Sequence, residues 1–109
     1  MVEAFRTVNS CTESVSILHQ RNWDNHVAKR PEIAGQNENA WLTVEDPDFA
    51  LIDERAVVYK YRKGFGIGAF QGKYLLVIER LRDGAHYVVT VYFTNDIIQS
   101  ATLLCIKRI

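Results

Sequence analysis

The most chemically suggestive stretch of the sequence is WDNHVAKRPEIAG, Trp23 to Gly35. His26 and Arg30 stand four positions apart, which places them on the same face of a helix. An imidazole can transfer protons near neutral pH, and a guanidinium can hold a phosphate in a bidentate fork. The pair is therefore a candidate acid/base and phosphate-binding group, although a helix histidine can equally pack and donate a single hydrogen bond.

A second group of polar residues falls on predicted strands. The runs RAVVYKYR, KYLLVIERLR and HYVVTVYFT are rich in β-branched and aromatic residues, and Asp83-Gly84 between the last two predicts a hairpin. Alternation gives these strands a polar side, which can be a solvated outer face or a surface suited to a phosphodiester. The residues of that side that favour phosphate binding are Lys60, Arg62, Thr90, Tyr92 and Thr94.

A two-residue hairpin loop would fix the register of the last two predicted strands. Arg82 would then face Ala85, and Val77 would face Thr90. Leu75 would face Tyr92 in the same register. The side expected to meet the helices consists of Tyr74, Leu76, Ile78, Tyr87, Val89, Val91 and Phe93.

The elements that must position these residues change once along the chain, from predicted helices in the first half to predicted strands in the second. SVSILHQ predicts a short strand, followed by a helix from near Arg21 that ends before Pro31. A second helix is predicted from about Asn37 to Glu45. Its core-facing residues would be Ala40, Trp41 and Val44. Helices first and strands second predict an α+β fold, with the helices on one face of an antiparallel meander. The C-terminal run DIIQSATLLCIKRI fits either a short helix and a last strand or one long strand. We expect the first form, with Leu103, Leu104 and Ile106 completing the sheet and core.

Composition and motifs exclude several classes of function. The 109 residues suit a single domain over 1–109, and 13 basic residues balance 13 acidic ones. No apolar run reaches the roughly 18 residues of a membrane helix, and the N-terminus does not resemble a secretory signal, so we expect a cytoplasmic protein. The three histidines and the carboxylates show no ligand spacing, so we expect no metal and no cofactor.

Two further features favour structural roles. Cys11 and Cys105 form no CxxC motif and are predicted to be small buried apolar residues. The run KGFGIGAFQGK connects two predicted strands, so its glycines do not fit a dinucleotide-binding turn, which leads into a helix. We expect it to be a mobile hairpin loop that either closes over a substrate or only connects the strands.

The runs WDNHVAKRPEIAG, VEDPDF, VVYKYR, KYLLVIERL and VVTVYFT, in this order, resemble the phage-associated branch of the barnase/EndoU/colicin/RelE-like ribonuclease superfamily. The resemblance covers roughly residues 15 to 94. It implies N-terminal helices packed on one face of a roughly four-stranded antiparallel sheet. It also implies metal-independent cleavage or processing of RNA by a toxin or phage effector, with RNA such as tRNA and a cognate inhibitor protein as partners.

Carried over to this chain, the resemblance implies His26, Lys60 and Thr90 as the catalytic residues. Lys60 and Arg30 would supply positive charge, while Thr90 and Tyr92 would hydrogen-bond phosphate oxygens or the ribose. Glu32 would act as a base or orient Arg30, although it also suits the first turn of a helix. With Arg62 and Thr94 added from the polar strand face, the predicted substrate-binding set is Arg30, Glu32, Arg62, Tyr92 and Thr94.

The sequence departs from the family pattern at one position. Arg30 runs directly into Pro31, where relatives often carry a second histidine. Two hypotheses follow. The chain is either a small ribonuclease, or a non-catalytic module that keeps the fold and binds a protein or small ligand on its open sheet face.

Overall fold

A computed structural model of the chain describes residues 2–53, 58–64, 73–95 and 102–106, the last of these by its backbone only. Helices and strands alternate irregularly along the chain. The strands are β1 Glu3–Val8, β2 Val15–His19, β3 Phe49–Asp53, β4 Val58–Gly64, β5 Tyr74–Arg82, β6 Ala85–Thr94 and β7 Thr102–Ile106. The helices are α1 Gln20–Lys29, a short 3₁₀ helix Pro31–Ile33 and α2 Asn37–Glu45.

The described strands form one seven-stranded sheet in the order β1-β2-β6-β5-β4-β3-β7. The chain is thus α+β, but the predicted architecture of N-terminal helices on a four-stranded antiparallel sheet is wrong. Two strands precede α1 as a hairpin, and β2 pairs with β6 in parallel. The β1 segment EAFRTV and the β3 segment FALID are too short to predict, because their stability comes from pairing with distant strands.

The two helices lie where the sequence predicts them. Trp23 is the buried residue of α1, and Pro31 follows directly after the C-terminal cap at Arg30. Gly35 has a φ of 79°, a left-handed conformation that glycine adopts without strain, and it lies just before α2. Ala40 and Val44 of α2 are fully buried, whereas Trp41 is 42% exposed, so its predicted core position is wrong.

Both helices contribute to one hydrophobic core on a single face of the sheet. The cluster joins both helices, the 3₁₀ helix and six of the strands, which explains how a chain this short holds a wide sheet. Its fully or almost fully buried members are Phe5, Leu18, Trp23, Ile33, Ala40, Val44, Ala50, Tyr61, Leu75, Val77, Val88 and Val91.

The β5–β6 hairpin turns at Asp83 and Gly84, which have φ values of 50° and 80°. Two consecutive positive φ angles define the tight hairpin turn that the sequence predicts, and Arg82 pairs with Ala85 as expected. An irregularity between Ile78 and Glu79 then shifts the register by one residue.

That shift changes which residues meet across the hairpin. Val77 pairs with Val91 and Leu75 with Phe93, so the expected Val77–Thr90 and Leu75–Tyr92 pairs are wrong. Leu75 and Val77 belong to the core, so the predicted orientation of β5 is inverted. The expected inward positions of Val91 and Phe93 on β6 are confirmed, whereas Val89 is 36% exposed and its expected inward position is wrong.

Three remaining predictions can be placed only in part. Residues 65–72 of the glycine-rich run and 96–101 of the C-terminal run lie outside the described residues. The predicted last strand is confirmed as β7, which pairs with β3. Cys11 is partly buried against the hydrophobic core, as expected of a small apolar residue, but it is disulfide-bonded and not a free thiol. No helix in the described ranges is long and apolar enough to cross a membrane.

Candidate functional site

The strand residues predicted to bind phosphate lie on one face of the sheet, opposite the face that carries the hydrophobic core. Lys60 pairs with Ile78, and Ile78 pairs with Thr90, so Lys60 and Thr90 belong to one row across three strands. Their backbones are roughly 10 Å apart, because neighbouring strands are about 4.8 Å apart. Arg62 and Tyr92 flank Leu76 in the next row in the same way.

This face is not uniformly open to solvent. Arg62 is 1% exposed and Leu76 is 2% exposed, whereas Lys60, Thr90, Tyr92 and Thr94 are half-buried. A guanidinium as buried as that of Arg62 cannot contact a phosphate in solution without a local opening. The sequence predicted that these residues share a face, which the strand pairing confirms, but it gave no sign that part of that face is buried.

The C-terminal half of α1 runs beside the second half of β6. The His26 ring interacts with the backbone of Val89, and the guanidinium of Arg30 lies 5.2 Å from the centre of the Tyr92 ring. Burial, together with the positive charges of Arg30 and then Lys29, lowers the pKa of His26 below its ordinary value. His26 is therefore neutral at pH 7 and able to accept a proton.

The fold thus brings some of the predicted site residues together and separates others. His26, Arg30 and Tyr92 lie along one contact between α1 and β6, whereas Lys60 lies two strands away from β6. Glu32 is exposed on the 3₁₀ helix. No group of three metal-ligating side chains occurs in the described part of the chain.

A cleft of about 580 Å³ lies at the turn end of the β5–β6 hairpin, next to the start of α1. Arg80 and Arg82 enter it from alternate positions of β5, which places both on the same face of the sheet. Arg21 joins them from the first turn of α1. The cleft is lined by His19, Arg21, Asn22, Arg80, Arg82, Asp83, Tyr87, Val88 and Val89.

Charge and aromatic surface coincide in this cleft. Three exposed arginines stand against one aspartate, Asp83, so the local field is positive although the whole chain is neutral. The rings of His19 and Tyr87 stack with their centres 5.6 Å apart. Such a combination of guanidinium groups and a half-buried aromatic pair suits a ligand that carries both phosphates and flat bases.

None of the predicted site residues lines the cleft, and sequence reasoning missed it. The alternating arginines in ERLRDG are a signal for a positive strand face next to a tight turn. The aromatic pair has no local signal, because His19 and Tyr87 meet only through the parallel pairing of β2 with β6. His26 adjoins the cleft through Val89, which both lines the cleft and contacts the His26 ring.

A second group of polar side chains is buried where β2, β4, β5 and β6 lie side by side. The Oγ of Ser16 donates a hydrogen bond of 3.0 Å to Oε1 of Glu79, and Nδ1 of His86 lies 3.4 Å from the same oxygen. The His86 ring also packs against Tyr59, with ring centres 4.3 Å apart. Glu79 is fully buried and His86 nearly so, which closes this cluster to external ligands.

No family model, curated protein or solved structure matches this chain. The choice between the arginine cleft and the buried polar group as the candidate functional site therefore rests on their accessibility and charge. The buried cluster suits internal stability, whereas the arginine cleft is accessible and positively charged.

Proposed function

We propose that the chain binds single-stranded RNA in the arginine cleft, defined by Arg21, Arg80, Arg82, His19 and Tyr87. The observation that carries the proposal is the meeting of three exposed arginines with a stacked aromatic pair in one cleft. Arginine recognises phosphate oxygens bidentately, and an aromatic ring accepts any base by stacking. The sequence resemblance to RNA-processing proteins favours RNA over DNA.

The cleft favours a single strand over a duplex. Its aromatic pair is half-buried between β2 and β6, so a base must leave its own stack to reach Tyr87. Bases in single-stranded RNA are free to do so, whereas a duplex would first have to open. A volume of about 580 Å³ suits one or two nucleotides rather than a helical groove.

RNA cleavage is a second candidate, favoured by the neutral His26 beside Val89 at the edge of the cleft. Cleavage without a metal ion needs a base for the 2′-hydroxyl, an acid for the leaving oxygen and cations for the phosphate. In this chain His26 would be the base, His19 the acid and the cleft arginines the cations. The catalytic roles that the resemblance implies for Lys60 and Thr90 are tested in the same cleavage experiment.

The binding proposal is tested by fluorescence anisotropy with a labelled 12-nucleotide mixed-sequence RNA at about 0.1 M salt. We expect Arg80→Ala and Arg82→Ala each to weaken binding roughly tenfold, since each removes a charge-assisted contact. Lys73→Ala is the matched control, because exposed Lys73 lies at the opposite end of β5. Equal losses in all three variants, or no binding by the folded wild type, would refute the proposal.

Cleavage is tested separately by incubating end-labelled RNA with the chain in EDTA. Products with 2′,3′-cyclic phosphate ends, lost in His26→Ala and His19→Ala, would establish the second candidate. Loss in Lys60→Ala or Thr90→Ala instead would move the chemistry to the sheet face. Intact RNA under conditions where anisotropy reports saturation would leave a binding protein without nuclease activity.

A further inference from the structure

The outer face of α2 carries an exposed tryptophan that is held in one orientation. Trp41 is 42% exposed, yet its ring stacks on Phe5 with centres 6.2 Å apart and planes 15° apart. Its Nε1 donates a hydrogen bond of 2.9 Å to Oε2 of Glu45, and the Thr7 hydroxyl donates to the same oxygen at 2.7 Å. The indole N–H is therefore satisfied, and the apolar part of the ring faces solvent.

Helix α2 itself is tied to the β1–β2 loop at its C-terminal end. The side-chain amide of Asn9 donates to the Val44 carbonyl, and the Ser10 backbone N–H donates to the Glu45 carbonyl at 3.0 Å. Asn9 is fully buried, so its bond to the Val44 carbonyl lies away from water. A partner that docks here meets a surface that is already ordered, which lowers the entropic cost of binding.

The surface has a defined shape and a defined charge. Glu38, Trp41, Leu42 and Glu45 follow helical spacing and line a depression of about 300 Å³. Leu42 is 45% exposed beside Trp41, and the two glutamates flank this apolar pair. No lysine or arginine occurs in Asn37–Glu45, so the rim is acidic.

We propose that this surface, which we call the α2 face, docks a basic amphipathic segment of a partner protein. Its apolar residues would pack on Trp41 and Leu42, and its lysines or arginines would meet Glu38 and Glu45. Exposed tryptophans on rigid scaffolds dominate the affinity of many interfaces, and complementary charges select the partner. The α2 face is separate from the arginine cleft in residues and opposite in charge, so it would attract a different partner.

The test is a display selection of random 16-residue peptides on the full-length chain, with counter-selection on the double variant Glu38→Lys/Leu42→Ser. We expect enriched peptides with a net positive charge and with leucine or aromatic residues at helical spacing. Enrichment of acidic or uncharged peptides would overturn the proposal, as would failure to enrich any peptide over the counter-selected variant.

A synthetic copy of an enriched peptide then gives dissociation constants for single variants. Glu38→Lys should weaken binding at least about tenfold, whereas Glu32→Lys is the charge-matched control on the 3₁₀ helix and should leave it unchanged. Trp41→Ala should weaken binding about thirtyfold. Leu42→Ser tests the same surface without removing the stacking of Trp41 on Phe5. Equal losses in Glu38→Lys and Glu32→Lys would overturn the proposal. So would self-association in sedimentation equilibrium that Leu42→Ser abolishes, because the occupant would then be a second copy.

Discussion

Nδ1 of His86 lies 3.4 Å from Oε1 of Glu79, and their side chains are 4% and 0% exposed. Both side chains are buried away from water, and the Ser16 hydroxyl donates a hydrogen bond of 3.0 Å to the carboxylate. Buried polar groups are costly unless they have partners, so each member of this pair stabilises the other.

A double-mutant cycle measures this dependence. His86→Phe should destabilise the chain by about 3 kcal/mol, because Glu79 keeps its desolvation cost and loses a partner. Glu79→Leu should be destabilising for the same reason, applied to His86. The double variant should recover most of the loss, since it removes both polar groups from the core. Urea denaturation of the four proteins gives the free energies of unfolding. Strictly additive losses would show that the two side chains are not coupled.

Tyr61 provides a pH dependence at the alkaline end. Burial, and secondly the nearby charge of Glu79, raise the pKa of the Tyr61 hydroxyl above its ordinary value of about 10. The folded state then keeps a proton that the unfolded state releases. The stability that Tyr61 contributes is therefore fully present below about pH 10 and is lost as the pH rises further.

The measurement is urea denaturation from pH 8 to pH 11 for wild type and Tyr61→Phe. Wild-type stability should fall above pH 10 by up to about 1.4 kcal/mol per pH unit more than that of the variant. The free energies of unfolding of the two proteins should run parallel below pH 9. A parallel course at every pH would contradict a raised pKa for Tyr61. Tyr74→Phe is a suitable control, because Tyr74 is a half-buried tyrosine at the far end of β5.

Much of the local structure could be predicted from sequence, and α1 and α2 show why. Residues next to each helix in sequence determine where it ends or begins, because Pro31 ends α1 and Gly35 allows the turn that leads into α2. The Asp83-Gly84 turn is local in the same sense. Each of these features depends on backbone geometry within a few residues.

The orientation of the strands could not be predicted in this way. One extra residue in β6, near Val88 and Val89, places Val77 opposite Val91. The alternating pattern of β5 gives no indication of this extra residue. Trp41 shows the same limit for a side chain. Its spacing with Ala40 and Val44 fits a core position, but the ring lies against Phe5 at the surface instead.

The candidate site was out of reach for a related reason. The spacing of Arg80 and Arg82 predicts a positively charged strand face. The other residues of the cleft, such as His19 of β2 and Arg21 of α1, are more than 50 positions away from these arginines in sequence. Predicted residues such as His26 and Arg30 did fall together, because both lie on one helix. Lys60 and Arg62 share a face for the equally local reason of alternation along β4, whereas the row that joins Lys60 to Thr90 depends on pairing through β5.

The pKa of His26 can be tested separately from any role of His26 in RNA cleavage. Its pKa should lie below the ordinary value of about 6.5, and Arg30→Ala should raise it towards that value by removing a neighbouring positive charge. Because the folded state favours the neutral ring, the associated stability is present above about pH 6.5 and is lost as the pH falls through the folded pKa.

The pKa of His26 is measured by NMR titration of the imidazole carbon-bound protons. Arg21→Ala is the control, since Arg21 lies at the other end of α1 and carries the same charge. A His26 pKa that Arg30→Ala and Arg21→Ala raise equally would point to the net charge of the chain rather than to local contact.

Tyr87 distinguishes stacking from simple charge attraction in the arginine cleft. Tyr87→Phe keeps the ring that stacks on His19 and should leave RNA affinity within about twofold of wild type, whereas Tyr87→Ala should weaken it about tenfold. The slope of log affinity against log salt should stay constant in both, because neither variant removes a phosphate contact. Arg80→Ala should reduce that slope by about 0.7, the value expected for one phosphate on a single strand. Salt titrations of fluorescence anisotropy give all four slopes. A reduced slope in Tyr87→Ala would mean that the aromatic pair only positions the arginines and does not stack on a base.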